Sequence, residues 1–392
     1  MASRRYFVKA VAAMAAIPLI GGCAERTEGA GDIAENESMT ADASAKSGHD
    51  VDGPRDTSGH WRMSDEAEPH ARTWMAFGAG KEIWGDDLLP EVRRNLAAVA
   101  LAIARFEPVR MLVNNEDLQA ARKLVGDAVE LVPCALDDLW IRDSGPVFVR
   151  DAQGRLGGID FNFNGWGGKQ RHLRDGEVAK VVNARAGTAA IETFLVLEGG
   201  GIEVDGHGTA LATESAILNE NRNPGLSKAK CEAELKRLLG VEKIIWLPGI
   251  RGKDITDGHI DFYARFARPG VVVAAYDSDP GSFDHAVTER HLEILRHATD
   301  AQGRKMEVVV LEAPEHVRST YETDDFAAGY INYYLCNGGL ILPQFGDRRA
   351  DRAARDALQR LFPDREIVQI NIDGIAAGGG GIHCATQQQP AG

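Results

Sequence analysis

The sequence predicts one α/β domain behind a leader and a tether, and three observations carry that prediction. Apolar residues make up 44% of the 392 residues, enough for a sizeable core. Five stretches place apolar residues at helical spacing, and short β-rich runs lie between them. No Pro-rich break and no obvious repeat interrupts residues 61–392, so a single domain is the simplest reading.

The helical stretches are 88–106, 178–186, 227–239, 284–299 and 351–362, with a shorter one near 116–125. The first carries Leu96, Val99, Ala100 and Ile103 on one face. The third follows the Asn223-Pro224-Gly225 turn, with Ser227 placed to cap it. The β-rich runs are Val109–Val113, Val129–Val132, Pro146–Val149, Phe194–Leu197, Ile244–Leu247, Val271–Ala275, Val308–Leu311, Gly339–Leu342 and Ile367–Ile370.

Residues 1–22 read as an export signal. Ser3-Arg4-Arg5-Tyr6-Phe7-Val8-Lys9 is a basic start, and the apolar run Ala10–Ile20 is too short for a membrane span, which needs about 20 residues. The paired arginines resemble a twin-arginine signal. Gly22-Cys23 is similar to a lipobox, which makes Cys23 a candidate lipidation site and the sole membrane contact of an exported, periplasmic or membrane-anchored protein. Residues 23–60 hold nine acidic and three basic side chains and few large apolar ones. Such a stretch reads as a disordered acidic tether. The folded part is therefore 61–392.

Lys and Arg total 44 against 58 Asp and Glu, a net charge of -14. That balance argues against nucleic acid as a partner. Five cysteines, an odd number, argue against a full disulfide framework. Glycine is in excess, at 43 residues, and the excess sits mainly in Asn164-Gly165-Trp166-Gly167-Gly168, Glu198-Gly199-Gly200-Gly201 and Gly378–Gly381. None of these has the spacing of a phosphate or dinucleotide loop.

Four constellations carry chemistry. Cys384 ends the last glycine run and reads as a reachable nucleophile or as a packed thiol. Thr256-Asp257-Gly258-His259-Ile260-Asp261, taken as a strand, puts His259 and Asp261 on one face. That pair suits acid–base work, a metal or plain structure, though no HxH or CxxC supplies further metal ligands. Asp137-Asp138-Leu139-Trp140-Ile141-Arg142-Asp143-Ser144-Gly145-Pro146 reads as an acid-rich strand end, a cation site or a solvated turn. Glu198 leaves an apolar run into glycines. Cys134, Cys231 and Cys336 read as packing residues.

Together these stretches resemble the agmatine deiminase / bacterial peptidylarginine deiminase family of the guanidine-modifying superfamily. The matches run in order: Glu68-Pro69-His70-Ala71-Arg72-Thr73-Trp74-Met75, Trp140–Pro146, Phe163-Asn164-Gly165-Trp166-Gly167, Glu198-Gly199-Gly200, Asn221-Arg222-Asn223-Pro224, Asp257–Asp261 and Gly379–Cys384. The resemblance implies a five-bladed α/β-propeller (pentein) of ββαβ-type units. It implies hydrolysis of a guanidine without metal or organic cofactor, agmatine to N-carbamoylputrescine and ammonia in the first instance. Peptidyl-arginine outside the cytoplasm is the close alternative; amidino transfer and a non-catalytic guanidine- or polyamine-binding lipoprotein stand behind it. Cys384 matches the nucleophile and His259 the general acid/base. Asp143 and Asp261 match the guanidinium-gripping carboxylates, and Glu198 the acid that orients the histidine. Trp140 and Asp138 fall along the substrate channel. The chain departs from the family at Ala67, Gly78 and Gly329, the first two placed near one end of that channel. A homo-oligomer is compatible with the resemblance.

Replacing the candidate lipidation site, Cys23→Ser, is expected to release the protein from membranes on fractionation. A wild-type species found wholly in the soluble fraction would contradict the anchor.

Overall fold

The computed structural model describes residues 60–318, 320 and 325–392. The export signal, Cys23 and the tether up to residue 59 lie outside the described residues. Sixteen strands in the described residues build five sheets. The first contains β1 (His70–Phe77), β2 (Val109–Val113) and β3 (Glu130–Pro133). The second contains β4 (Val147–Arg150), β5 (Leu156–Asp160) and β6 (Ala189–Glu192). The third contains β7 (Ile202–Val204), β8 (Thr209–Thr213) and β9 (Lys243–Leu247). The fourth contains β10 (Ala264–Arg268), β11 (Val271–Tyr276) and β12 (Glu307–Glu312). The fifth contains β13 (Tyr334–Cys336), β14 (Gly339–Gln344) and β15 (Glu366–Asn371). The last strand, β16 (Thr386–Pro390), returns to pair antiparallel with β1.

Every sheet repeats one pattern. Its first strand is antiparallel to the second, and the second is parallel to the third, as in β4-β5-β6 or β16-β1-β2. A parallel pair needs a long crossover, and a helix supplies it in each unit. Those helices are Lys81–Ile103, Val178–Ala186, Lys228–Leu239, His285–His297 and Arg348–Leu361. This is the ββαβ repeat of a five-bladed α/β-propeller, closed by β16. The helices fall on the five predicted stretches. Ser227 caps the third by accepting from the Lys230 amide, and Asp347 caps the last through Arg349 and Ala350.

Three sequence expectations are corrected. Phe194–Leu197 is not a strand; Val196 exchanges both backbone bonds with the Asn223 side chain, at 3.1 and 2.8 Å, and the strand is β6 upstream. Thr256–Asp261 is not a strand either. The Asp254 carboxylate takes the amides of Thr256 and Gly258, and a 3₁₀ turn follows at Ile260–Phe262. The acid-rich segment does not end a strand: Ile141–Ser144 is one helical turn, reached through amides of Asp137 and Asp138 that donate to Asp175.

Where the five units meet, charge is buried. Glu66 binds Arg265 at 2.9 Å, His383 at 2.9 Å and Arg142 at 3.2 Å, and accepts from the Leu335 amide. Arg265 reaches Glu203 at 3.4 Å and the Tyr333 carbonyl. Arg142 also donates to Gln387 and Gln388 of β16. These residues come from all five units and are all buried. Burial opposes the charge on Glu66, but Arg265, His383 and Arg142 outweigh it and hold the carboxyl well below its ordinary range.

Arg265→Leu leaves Glu66 and Glu203 without their shared cation. The expected loss is about 3–5 kcal/mol of unfolding free energy, because an unpaired buried charge costs that much. A loss under about 1 kcal/mol in a denaturant titration would contradict the role given to this cluster.

Candidate active site

Next to this cluster the segments before β4, β7, β10 and β16 bring the predicted residues together. Glu198 precedes a short 3₁₀ turn, Gly199–Gly201, and the apolar run before it, Phe194–Leu197, is not the strand that the sequence suggested. Its carboxylate accepts twice from Arg222 Nε, at 2.8 and 2.9 Å, and meets His259 Nε2 at 3.0 Å. Arg222 continues to Asp257 at 2.7 Å. Asp257 has φ of 63°, a left-handed conformation rare outside glycine, which turns the chain into Gly258 and His259. His259 and Asp261 thus reach one site by a strained turn rather than by strand alternation.

Asp143, on its helical turn, accepts from Trp166 Nε1 at 2.9 Å and from the Gly200 amide at 3.1 Å. Its Oδ1 lies 3.7 Å from His259 Nδ1. Asp261 accepts from His383 Nδ1 at 2.7 Å, and the same oxygen lies 3.5 Å from Cys384 Sγ. Asn332 donates from Nδ2 to Sγ at 3.3 Å and accepts from the Cys384 amide at 3.3 Å. His259 Nδ1 and Asp261 Oδ1 are buried and have no hydrogen-bond partner among the described residues.

Gly200 marks the centre. A Cβ there would sit 2.6 Å from His259 Nδ1, 2.8 Å from Asp143 Oδ1 and 3.2 Å from Asp261 Oδ2. Three groups therefore converge on a point that glycine alone keeps clear. Gly380 does the same for the wall. A Cβ there would meet the Trp140 ring at 2.2 Å, so Trp140 packs directly on the loop that carries Cys384. Trp84 lies beside Trp140, with ring centroids 6.0 Å apart.

Burial and the clustered carboxylates set the electrostatics of the site. Burial pushes the Cys384 thiol well above its ordinary value, and the charges of Asp261 and Asp143 push it further. Burial also raises Asp143, to about 6, against the pull of His259. For His259 burial works the other way. It disfavours the charged ring, but Asp143, Glu198 and Asp261 outweigh it and push the ring up to about 9. Burial would raise Glu198 and Asp261 too, but Arg222 and His259 hold the first low, and His383, His259 and Arg265 the second.

The structure thus gathers Cys384, His259, Asp143, Asp261 and Glu198 in one buried site. Asp138 stands apart from it. Its oxygens accept from Trp84 at 2.7 Å and Gln170 at 2.9 Å, and it is not among the three groups nearest the point beside Gly200. Gly78 adjoins this residue: a Cβ there would lie 1.9 Å from the Asp138 carbonyl oxygen. Ala67 lies elsewhere, next to Glu66 of the axial cluster, with its carbonyl accepting from Arg365. Of the remaining thiols, Cys231 and Cys336 are fully buried and Cys134 partly so. Asn332, Trp166, Arg222 and His383 were not singled out from sequence. Their signals were a polar residue inside the apolar run Tyr330–Leu335, and membership of matched stretches for the other three.

Comparison with known proteins agrees with the fold. The family model of the Porphyromonas-type peptidyl-arginine deiminase matches residues 62–390. The agmatine deiminase of Pseudomonas aeruginosa strain LESB58 is 40% identical over 84% of this chain and 96% of its own. That of Medicago truncatula is 37% identical over the same shares. The solved structure of Enterococcus faecalis agmatine deiminase superposes with a TM-score of 0.81 and 34% identity, covering 86% of this chain and 99% of that one. The chain belongs to the agmatine deiminase / Porphyromonas-type peptidyl-arginine deiminase family.

Proposed function

We propose that this protein is a hydrolase of C–N bonds that deiminates agmatine to N-carbamoylputrescine and ammonia through an amidino intermediate on Cys384. The observation that carries the reading is the convergence of two carboxylates and one imidazole on the space beside Gly200, with Cys384 Sγ 3.5 Å from one of those carboxylates. The agmatine deiminases at 37–40% identity support the substrate.

A guanidinium is charged at any pH the protein meets. Between Asp143 and Asp261 it brings a positive charge to both carboxylates, donates to the Asp261 oxygen that has no partner among the described residues, and adds to the two bonds that Asp143 already accepts. The same cation offsets the negative field that keeps Cys384 protonated, so the thiol gives its proton up to solvent once the substrate is bound and regains one when the product has left. Sγ attacks the guanidinium carbon and forms a tetrahedral adduct. His259, protonated and held by Glu198, gives its Nδ1 proton to one nitrogen, which leaves as ammonia. An amidino thioether remains. His259 then takes a proton from water as the oxygen adds to the same carbon. The C–S bond breaks, the thiolate returns, and a ureido product leaves with release of a proton that ammonia takes up.

Ammonia release from agmatine, free arginine and an arginine peptide tests the substrate. The expected order puts agmatine first, with Cys384→Ala and Gly200→Ala inactive; turnover of the peptide alone would overturn the reading. Charge on Asp143 gives a second test. A carboxylate raised to about 6 is ionised above that pH and neutral below it. Agmatine binding to the Cys384→Ala protein is therefore expected to weaken as the pH falls through about 6. Affinity that stays constant from about pH 8 to about pH 5 would contradict it.

A further inference from the structure

The buried charges on the propeller axis and the site above them touch through one side chain. His383 lies between Asp261 and Glu66, with Nδ1 2.7 Å from one carboxylate and Nε2 2.9 Å from the other. Its ring is 2% exposed, and both carboxylates are buried. Ionised carboxylates only accept, so each ring nitrogen faces an acceptor. Glu66 is itself fixed by Arg142 and Arg265, so the ring cannot turn without leaving a buried carboxylate unmatched. Its backbone is held as well: the amide donates to the Asn332 carbonyl, and the carbonyl accepts from Arg142 Nε.

We propose that His383 is a positioning residue for the reaction, whose Nδ1–H fixes the Asp261 carboxylate with Oδ2 against Cys384 Sγ and the point beside Gly200, so that Oδ1, without a partner among the described residues, is the oxygen left for the guanidinium. The proposal rests on the hydrolase reading above. Asp261 Oδ2 is occupied by His383 and lies against Cys384 Sγ, while Oδ1 has no partner among the described residues. The bond to His383 therefore decides which oxygen is left for the substrate. It also ties that oxygen to a cluster built from all five units. Without it, Asp261 is free to rotate about its terminal bond, and a second negative oxygen turns towards the thiol.

Two conservative variants separate this role from a merely structural one. An asparagine amide can replace Nδ1–H towards Asp261, and a glutamine amide can replace Nε2–H towards Glu66. Each variant gives up one contact to one buried carboxylate, so a structural role moves both alike. The proposal expects His383→Asn to keep KM near that of the wild type. It expects His383→Gln to raise KM about 10- to 100-fold, the size of one charge-assisted hydrogen bond, with a smaller change in kcat. Equal KM in the two variants, or the reverse order, overturns it. A second readout needs no turnover: ¹⁵N spectra of histidine-labelled protein without substrate. A proton on His383 Nδ1 whose signal shifts on Asp261→Asn is expected, and an unprotonated Nδ1 overturns the proposal. If the wild type releases no ammonia from any of the three guanidines, the hydrolase reading fails, and the spectra still decide the placement of His383.

Discussion

One buried carboxylate, Glu66, is shared by two arginines and a histidine, and that sharing holds the five units in register. Arg142 leads into the second unit, Glu203 lies on β7 of the third, Arg265 on β10 of the fourth, and His383 precedes the closing strand. A buried charge is tolerated only when paired and hydrogen-bonded. Each unit must therefore present its group at the right place, or the others lose a partner. The closing strand shows the consequence. Thr386–Pro390 is polar yet buried, because Gln387 and Gln388 accept from Arg142 where an apolar side chain would leave the guanidinium unsatisfied.

The reaction site depends on the same balance of charge. Burial and the charges of Asp261 and Asp143 raise the thiol, and against the effect of burial Asp143, Glu198 and Asp261 raise the imidazole. For His259 this is an asset, since it arrives at the reaction charged. For Cys384 it is a restraint until a cation enters. In the function proposed, the pairing of a protonated imidazole with a restrained thiol makes guanidinium binding and nucleophile formation one event, and it favours cationic substrates over neutral ones of the same shape.

Much of this was legible in the sequence, and the gaps have physical reasons. The five crossover helices show at their apolar spacing, and strands such as Val271–Tyr276 show as β-branched runs. β5, β8 and β16 do not, because Gly157-Gly158, an Ala/Thr alternation and a glutamine run carry no two-fold apolar pattern. The propeller itself came from resemblance, since nothing local encodes how five sheets arrange around an axis. At the site, residue types were readable and local conformation was not. His259 and Asp261 point the same way because Asp254 folds a turn around Gly258, a result that strand alternation reaches for the wrong reason. Asn332 and His383 make their contacts across about fifty and more than a hundred residues of chain, to Cys384 and Asp261 respectively. No window of sequence holds both partners.

The central claim is that Cys384 bonds to the carbon of a guanidinium clamped by Asp143 and Asp261. Its most direct test is mass spectrometry of wild-type protein mixed with agmatine and quenched with acid during the first turnovers. The account predicts an adduct equal to agmatine less ammonia, mapped to Cys384 and absent from Asp261→Asn. Ammonia release with an unmodified Cys384, or with the adduct on another residue, would contradict it.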